Sequence, residues 1–169
     1  MGKIIFILGG VKSGKSSFAL KLVQKRKNVV FAATAIPFDF EMQKKIVKHK
    51  KSRPQNIKTI EVKNKISEIL KENFDTVIID CLTVFVSNRI LSNITERRII
   101  DDIKSTIIAV KKKGRSAIIV SNEVGMGIVP KNKLARKFRD ILGNINQAVS
   151  EIADKVYLMV AGIPVGVKK

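Results

Sequence analysis

The stretch "KIIFILGGVKSGKSSFAL", residues 3–20, decides the fold of this 169-residue chain. It opens with a run of β-branched and aromatic residues typical of a buried strand, continues through a glycine-rich segment and ends in a helical pattern. In that context Gly9 to Ser16 match the pattern G-x-x-x-x-G-K-[ST]. The sequence therefore predicts a P-loop, whose backbone N–H groups hold phosphate oxygens at the start of a helix.

The composition of this loop predicts a nucleoside triphosphate site. Glycines let the backbone approach the phosphates, Lys15 supplies a cation for the β and γ phosphates, and the Ser16 hydroxyl is suited to ligate Mg²⁺. The alternative is a chance match in a glycine-rich turn, but the preceding strand and the following helix argue against it. The residues predicted to contact the nucleotide here are Gly9, Gly10, Val11, Lys12, Ser13, Gly14, Lys15 and Ser16.

Strand and helix patterns alternate beyond the loop. Strand-like runs recur at "NVVFAAT", "KTIEV", "TVIIDCL", "SAIIVSN" and "KVYLMVA", with helical periodicity between them. Such alternation predicts an α/β fold with a mostly parallel central sheet and helices on both faces. We expect "NEVGMGIVP" and "AGIPVG" to form loops after strands. No repeat or composition break divides the chain, so we expect one P-loop NTPase domain over residues 1–169.

The segment from Asn132 to Ala153 is the clearest amphipathic helix. Its apolar residues recur at steps of three and four, which places them on one face. We expect that face to pack in the core, and the alternative is a groove for a partner. The residues of the face are Leu134, Phe138, Ile141, Leu142, Ile145, Val149 and Ile152.

Charge and cysteine content limit the function classes. Lys and Arg number 33 against 14 Asp and Glu, a formal net charge of +19 that favours nucleic acid, acidic lipid or phosphorylated small molecules as ligands. The only cysteine, Cys81, excludes an internal disulfide, and together with one histidine it cannot build a four-ligand zinc site. The single cysteine indicates a reducing environment, so we expect a cytoplasmic protein. We expect no membrane insertion, because no apolar run has membrane-spanning length.

Two further residues are candidates for chemistry. Asp80 follows a buried-strand pattern, which makes it the best candidate for the carboxylate of the metal shell; the alternative is a cap on the next helix. His49 is the only histidine and lies among lysines in "EMQKKIVKHKKSRP", residues 41–54. Out of context it would be a surface residue. Neighbouring cations disfavour its protonation, however, and a neutral imidazole can attack an α-phosphate and displace pyrophosphate.

Four segments, "GGVKSGKS", "EMQKKIVKHKKSRP", "SNEVGMGIVPKNKLARKFRDILGNINQ" and "VAGIPVGVK", carry a family resemblance over nearly the whole chain. It resembles the bifunctional adenosylcobinamide kinase / adenosylcobinamide-phosphate guanylyltransferase family of cobalamin biosynthesis. The resemblance implies phosphorylation of adenosylcobinamide by ATP or GTP. It also implies a second reaction, in which GMP is transferred from GTP to adenosylcobinamide phosphate to give adenosylcobinamide-GDP and pyrophosphate. It also implies a homotrimer with a RecA-like sheet.

The resemblance also assigns roles to residues. His49 would carry GMP, Lys15 would act with it in catalysis, and Ser16 and Asp80 would hold Mg²⁺. Asn122 and Glu123 would help to bind the corrinoid, and their alternative role is to stabilise a turn. Further contacts to the nucleotide are implied for Thr34, Ala35, Ile36, Lys51, Ser52, Arg53, Pro54, Glu61 and Asp80.

Glu61 has an alternative role, and three other residues differ from the family pattern. Glu61 can accept hydrogen bonds from a guanine edge, and its alternative is an exposed ion pair with a lysine. Three residues depart from the family pattern: Lys48 stands where some members have a second histidine, Lys45 where arginine is common, and Asp80 where some have glutamate.

Two rival functions remain open from the residues alone. A nucleic-acid-binding ATPase would suit the +19 charge. Its lysines are scattered, however, and aromatic residues make up only 5 %, so we expect no nucleic-acid partner. A plain small-molecule kinase is the second rival, and His49 argues against it because such a kinase needs no covalent nucleotide.

Overall fold

The structure is a computed structural model, and it describes residues 2–35, 54 and 56–169. Its elements follow the chain in the order β1 (Ile4–Gly9), α1 (Lys15–Val23), β2 (Val29–Ala33), β3 (Lys58–Glu61), a 3-10 helix (Ile66–Lys71), β4 (Thr76–Asp80), α2 (Leu82–Leu91), α3 (Glu96–Lys112), β5 (Ser116–Val120), α4 (Lys133–Ile152), β6 (Lys155–Val160) and β7 (Ile163–Lys168).

These strands form one seven-stranded sheet in the order β3-β2-β4-β5-β1-β6-β7. All neighbouring pairs are parallel except β6 and β7, which are antiparallel. Helix α1 packs on one face, and α2, α3 and α4 pack on the other. The predicted α/β fold, with a mostly parallel sheet between helices, is confirmed.

Strand β1 shows why these strands read as unbroken apolar runs. Ile4 and Phe6 point into the core on the α2–α4 side, while Ile5 and Ile7 point into the core beside α1. Alternate side chains of a strand enter opposite faces, so a sheet covered on both sides has no polar face to show in the sequence. Because the paired strands β1 to β6 are parallel, their carboxyl ends lie at one edge of the sheet, and the P-loop begins there at Gly9.

The expectation that "AGIPVG" forms a loop is wrong. Only Ala161 and Gly162 form the turn, with φ of 49° and 85°, and Ile163–Lys168 is strand β7. Positive φ at both central residues gives the tight turn that joins antiparallel strands in a hairpin. Pro164 is tolerated because β7 is the edge strand of the sheet.

Helix α4 follows the predicted amphipathic segment closely. The Asn132 side chain caps its start by accepting a hydrogen bond from Ala135 N at 3.1 Å. Ile141, Leu142, Ile145 and Val149 are buried, as expected for a core face. Leu134, in the first turn, differs because half of its surface is exposed. The apolar stripe therefore extends beyond the core at the start of α4.

A hydrogen-bonded carboxylate connects the starts of β1 and β6. Asp154 accepts hydrogen bonds from Ile4 N at 2.7 Å and from the Lys111 ammonium at 2.5 Å. Burial on its own raises the pKa of Asp154, but the Ile4 N–H and Lys111 outweigh it, and the net shift is downward. The ionised carboxylate therefore stabilises the fold above about pH 4, and this contribution is lost as the pH falls through the folded-state pKa.

We expect Asp154→Asn to lower the free energy of unfolding at pH 7. The expected loss is about 1 kcal/mol, a discounted value because the Lys111 and Asp154 side chains are 36 % and 35 % exposed. Below about pH 4 the wild type loses the same charge, so the difference should shrink. Urea unfolding at pH 7, 5 and 3 measures it, and an equal difference at all three values would contradict the assignment.

Candidate active site

The turn between β6 and β7 supports the P-loop from behind. Gly162 N donates a hydrogen bond to Ser13 O at 3.1 Å. Gly14 has φ +92°, and a Cβ added there would lie 3.2 Å from Gly162 Cα. Only glycine combines that backbone conformation with this close approach. The second glycine of the P-loop is therefore required by the structure as well as by phosphate binding.

Lys15 is held inside the loop. Its Nζ donates to Gly10 O at 2.5 Å and lies 3.4 Å from Ser13 Oγ, and only 8 % of the residue is exposed. Burial lowers the pKa of Lys15, while the electrostatic effects of the nearby Cys81 and Asp80 side chains act in the opposite direction. The amine is therefore positioned under the loop, within electrostatic reach of the end of β4.

The ends of β2 and β4 are joined by a reciprocal pair of hydrogen bonds. Buried Thr34 donates from Oγ1 to Cys81 O at 2.8 Å and accepts from Cys81 N at 3.0 Å. The Thr34 hydroxyl thus fixes the residue that follows Asp80, and the half-buried Asp80 lies at the carboxyl edge. Asp80 and Ser16 both offer oxygen donors, which suit Mg²⁺ bound together with phosphate.

Cys81 has no thiolate at neutral pH. Burial and the neighbouring Asp80 raise the pKa of its thiol to about 11. Because the thiolate is the reactive form, this cysteine is inert as a nucleophile near pH 7. Within residues 2–35, 54 and 56–169, no group of three or more His, Cys, Asp or Glu side chains forms a metal centre.

Glu61 lies at the far end of the same sheet edge. It ends β3, where it is paired in register with Ala33, which is in turn paired with Asp80. Its carboxylate is 3.3 Å from Lys63 Nζ, and both side chains are more than half exposed. With strands about 4.8 Å apart, the end of β3 lies roughly 19 Å along the edge from β1. The described candidates therefore extend along one edge, from the P-loop with Asp80 in electrostatic reach of Lys15 to Glu61 at the end of β3.

Asn122 and Glu123 lead out of β5 beside the P-loop. Glu123 N donates to Gly9 O at 3.1 Å, and the Glu123 carboxylate accepts from Gly125 N at 2.6 Å. Asn122 is held through its backbone, since its N–H donates to Thr83 Oγ1 at 2.7 Å and its carbonyl accepts from Asn146 Nδ2 at 3.0 Å. These contacts fix the start of the loop against the phosphate site.

The residues that hold Asn122 were not predicted from the sequence. Thr83 of α2 and Ser121 are buried, with hydroxyls 3.3 Å apart, and Asn146 lies on the buried face of α4. The sequence signal for Asn146 is its amide side chain on the otherwise apolar face of α4. Among the described residues its Oδ1 has no hydrogen-bond partner. The small network joins α2, β5 and α4 below the site.

We expect Thr83→Val to destabilise the protein. Valine keeps the shape but leaves the Asn122 N–H without its acceptor, and an unsatisfied buried donor costs about 1–3 kcal/mol. Urea unfolding measures the loss. Thr106→Val is a matched control, because the buried Thr106 hydroxyl only donates to Asp102 O of its own helix. Equal effects of the two substitutions would contradict a specific role for Thr83.

The remaining predicted site residues divide by where they lie. Ile36, His49, Lys51, Ser52 and Arg53 lie outside the described residues. Pro54 is exposed, and its carbonyl accepts from Ile57 N at 3.2 Å; Ala35 is half-buried after β2. Their predicted roles stay predictions. In the part of the chain that the structure describes, no helix has the length and apolar character to cross a membrane.

Comparison of the structure with solved proteins finds a similar fold in an ATPase. The chain superposes on an ATPase from the type III secretion system of pathogenic bacteria with a TM-score of 0.61 and 10 % sequence identity. The match covers 98 % of this chain and 57 % of the ATPase chain. At that identity the likeness concerns the fold alone.

Sequence comparison is more specific. The family model described as cobinamide kinase / cobinamide phosphate guanyltransferase matches residues 5–167. The chain is 36 % identical to the bifunctional adenosylcobalamin biosynthesis protein CobU of Salmonella typhimurium, over 98 % of this chain and 99 % of that protein. It is 33 % identical to CobP of Pseudomonas aeruginosa, over 96 % and 95 %. The resemblance is confirmed: the chain belongs to the cobinamide kinase / cobinamide phosphate guanyltransferase family and is a transferase of cobalamin biosynthesis.

Proposed function

We propose that one domain, residues 1–169, carries out two consecutive reactions. It phosphorylates adenosylcobinamide with ATP or GTP, then transfers GMP from GTP to adenosylcobinamide phosphate and releases pyrophosphate. The full-length family match supports the pair of reactions. The single structural observation that carries the proposal is the assembled P-loop, in which Lys15 is buried under the loop at the sheet edge that also holds Asp80.

The kinase reaction draws on the P-loop residues. Backbone N–H groups of Gly9 to Ser16 hold the triphosphate, and Lys15 exchanges its contact with Gly10 O for phosphate oxygens as charge develops on the transferred group. The oxygens of Ser16 and Asp80 would hold Mg²⁺, which neutralises phosphate charge when bound. The aminopropanol hydroxyl of the acceptor attacks the γ-phosphorus, and the nucleoside diphosphate leaves.

The transferase reaction adds His49. Its imidazole attacks the α-phosphorus of GTP, a P–N bond forms, and pyrophosphate leaves. An oxygen of adenosylcobinamide phosphate then attacks the same phosphorus, the P–N bond breaks, and adenosylcobinamide-GDP is released with His49 restored. Glu61 binds the guanine edge, and Lys51 and Arg53 pair with phosphates. The position of Glu61 at the opposite end of the edge from the P-loop supports separate places for the two reactions.

The assembly and location of the protein also belong to the proposal. We propose a homotrimer, which is supported by apolar residues left uncovered in the single chain: Val160, Ile163, Val165 and Val167 are 47–65 % exposed on β6 and β7. An exposed apolar strand at the edge of a sheet is a favourable surface for contact with another chain. We propose a cytoplasmic location, since the chain has one cysteine and no possible internal disulfide.

Product analysis tests the proposal. The protein is incubated with Mg²⁺, adenosylcobinamide and either ATP or GTP, and corrinoids are separated by chromatography. GTP should give adenosylcobinamide-GDP through the phosphate, whereas ATP alone should stop at the phosphate. Phosphate as the only product with GTP would favour the plain kinase. Nucleotide hydrolysis without a corrinoid product, stimulated by polynucleotide with a steep salt dependence, would favour the nucleic-acid ATPase.

A further inference from the structure

Apolar side chains are exposed around the P-loop and its neighbours. We call six of them the apolar platform: Val11, Leu91, Met126, Ile128, Val129 and Leu134. Ile128 is 97 % exposed, Val11 81 % and Met126 80 %. Large apolar side chains exposed on the P-loop, on the segment bonded to it and on α2 and α4 are candidates for a binding surface.

The platform adjoins the phosphate site. Val11 belongs to the P-loop, and the segment that carries Met126, Ile128 and Val129 starts at Glu123, whose N–H is bonded to Gly9 O at 3.1 Å. Met126 is three residues further on, so it lies within about 11 Å of that anchor even in a fully extended chain. A ligand resting on these side chains is therefore beside a triphosphate held by the loop.

Leu91 and Leu134 of the platform line a groove between α2 and the start of α4. Its volume is about 330 Å³, and its lining includes apolar Ile90, Leu91, Leu134 and Phe138 and polar Ser87 and Asn132. That size is within the range of small-molecule pockets. Helix α2 is bonded to the chain directly after β2, because Asn88 Nδ2 donates a hydrogen bond to Thr34 O at 3.3 Å.

The central segment of the platform carries no charge in a strongly basic protein, although Lys12, Lys131 and Lys133 lie next to it or to other members in sequence. Residues 124–130, "VGMGIVP", carry no ionisable side chain, although the chain has a net charge of +19. A polyanion such as nucleic acid would be bound by lysine and arginine, and a nucleotide by the P-loop itself. An apolar segment without charges, beside a groove that also offers the Ser87 hydroxyl and the Asn132 amide, suits a large macrocycle with apolar edges and neutral amide substituents.

We infer that the apolar platform and its groove bind the corrin macrocycle of the acceptor, which rests on the proposed function. The acceptor hydroxyl must come within about 3.5 Å of the γ-phosphorus, so the rest of the molecule must lie against the surface next to the P-loop. Asn122 and Glu123 are engaged in holding the loop start. They position the loop, and the apolar side chains after them contact the ring.

The test uses Met126→Gln and Ile128→Gln, two substitutions at highly exposed positions that leave the net charge unchanged. The matched control is Ile108→Gln on α3, an exposed isoleucine (41 %) outside the platform. The KM for adenosylcobinamide and the KM for ATP are measured in the kinase reaction with full-length protein, together with the Kd of dicyanocobinamide and the molecular mass in solution. The platform variants should raise the corrinoid KM and Kd at least tenfold, with the nucleotide KM within twofold of wild type, and the control should leave both unchanged.

Other outcomes overturn the inference. An unchanged corrinoid KM and Kd in both platform variants would remove the platform from the acceptor site. If the oligomer dissociates in these variants while the corrinoid Kd is kept, the surface is covered by a second copy of the chain instead. A wild-type protein that forms no phosphorylated corrinoid would refute the proposed function itself, which separates that failure from failure of the platform.

Discussion

Replacing His49 with alanine is expected to abolish adenosylcobinamide-GDP formation while adenosylcobinamide phosphate still accumulates. The chain contains one histidine, so no second imidazole can accept GMP. Loss of a covalent nucleophile should lower the rate of GMP transfer by at least about 10³-fold, and the kinase rate should stay within roughly threefold of wild type. Chromatography of the corrinoid products formed from GTP measures both rates in one reaction.

Lys48→Ala is the matched control for this variant. It removes a neighbouring side chain of the same segment but leaves the imidazole, and it should retain GMP transfer within about fivefold. Adenosylcobinamide-GDP formed by His49→Ala at a rate near that of wild type would exclude a guanylyl-histidine route. Parallel loss of the kinase reaction in His49→Ala would show that the residue serves both steps, contrary to the proposed division between them.

Replacing Lys15 with methionine should eliminate phosphorylation of adenosylcobinamide. Methionine fills a similar volume, but it cannot offer a cation to the phosphates, and a preorganised charge in a dry site contributes a large part of transition-state stabilisation. We expect kcat of the kinase reaction to fall by about 10³-fold or more. Initial rates at saturating ATP measure the effect, and a urea unfolding curve confirms that the variant is folded.

Lys21→Met is the control for this prediction. Lys21 is an exposed residue of the same helix α1, so the substitution removes equal charge without entering the loop. Its kinase rate should match that of wild type. If Lys15→Met kept more than about a tenth of the wild-type rate, the P-loop lysine would not stabilise the transferred phosphate in the way described.

The general architecture could be predicted because two-sided burial leaves a simple pattern. Strand β1 and the interior of β4, Val77 to Ile79, are continuous apolar runs, and helical periodicity separates such strands. The hairpin of β6 and β7 was missed for a physical reason. One of its two turn residues is Ala161, a non-glycine at φ 49°, and a short piece containing Gly162 and Pro164 has the composition of a loop. The pairing with β6 is a tertiary fact that local sequence does not contain.

Prediction of the site was uneven for a similar reason. The P-loop is local, so its spacing is visible along the chain. Asn122 is held by Thr83 of α2 and Asn146 of α4, which lie 39 and 24 positions away in the sequence. Apart from the amide of Asn146 on an apolar face, these partners leave no signal in the local sequence. The exposed Leu134 was expected in the core because helical periodicity gives the face of α4 but not where the neighbouring elements end.

The central claim is the covalent step, and one measurement tests it directly. Pure protein is incubated with Mg²⁺ and GTP labelled at the α-phosphate, without corrinoid, then denatured, and the label that remains on the chain is counted. The account predicts stoichiometric label that is stable to base, is released by acid as expected for a P–N bond, and is absent from His49→Ala. Wild-type protein that makes adenosylcobinamide-GDP yet retains no label would contradict it.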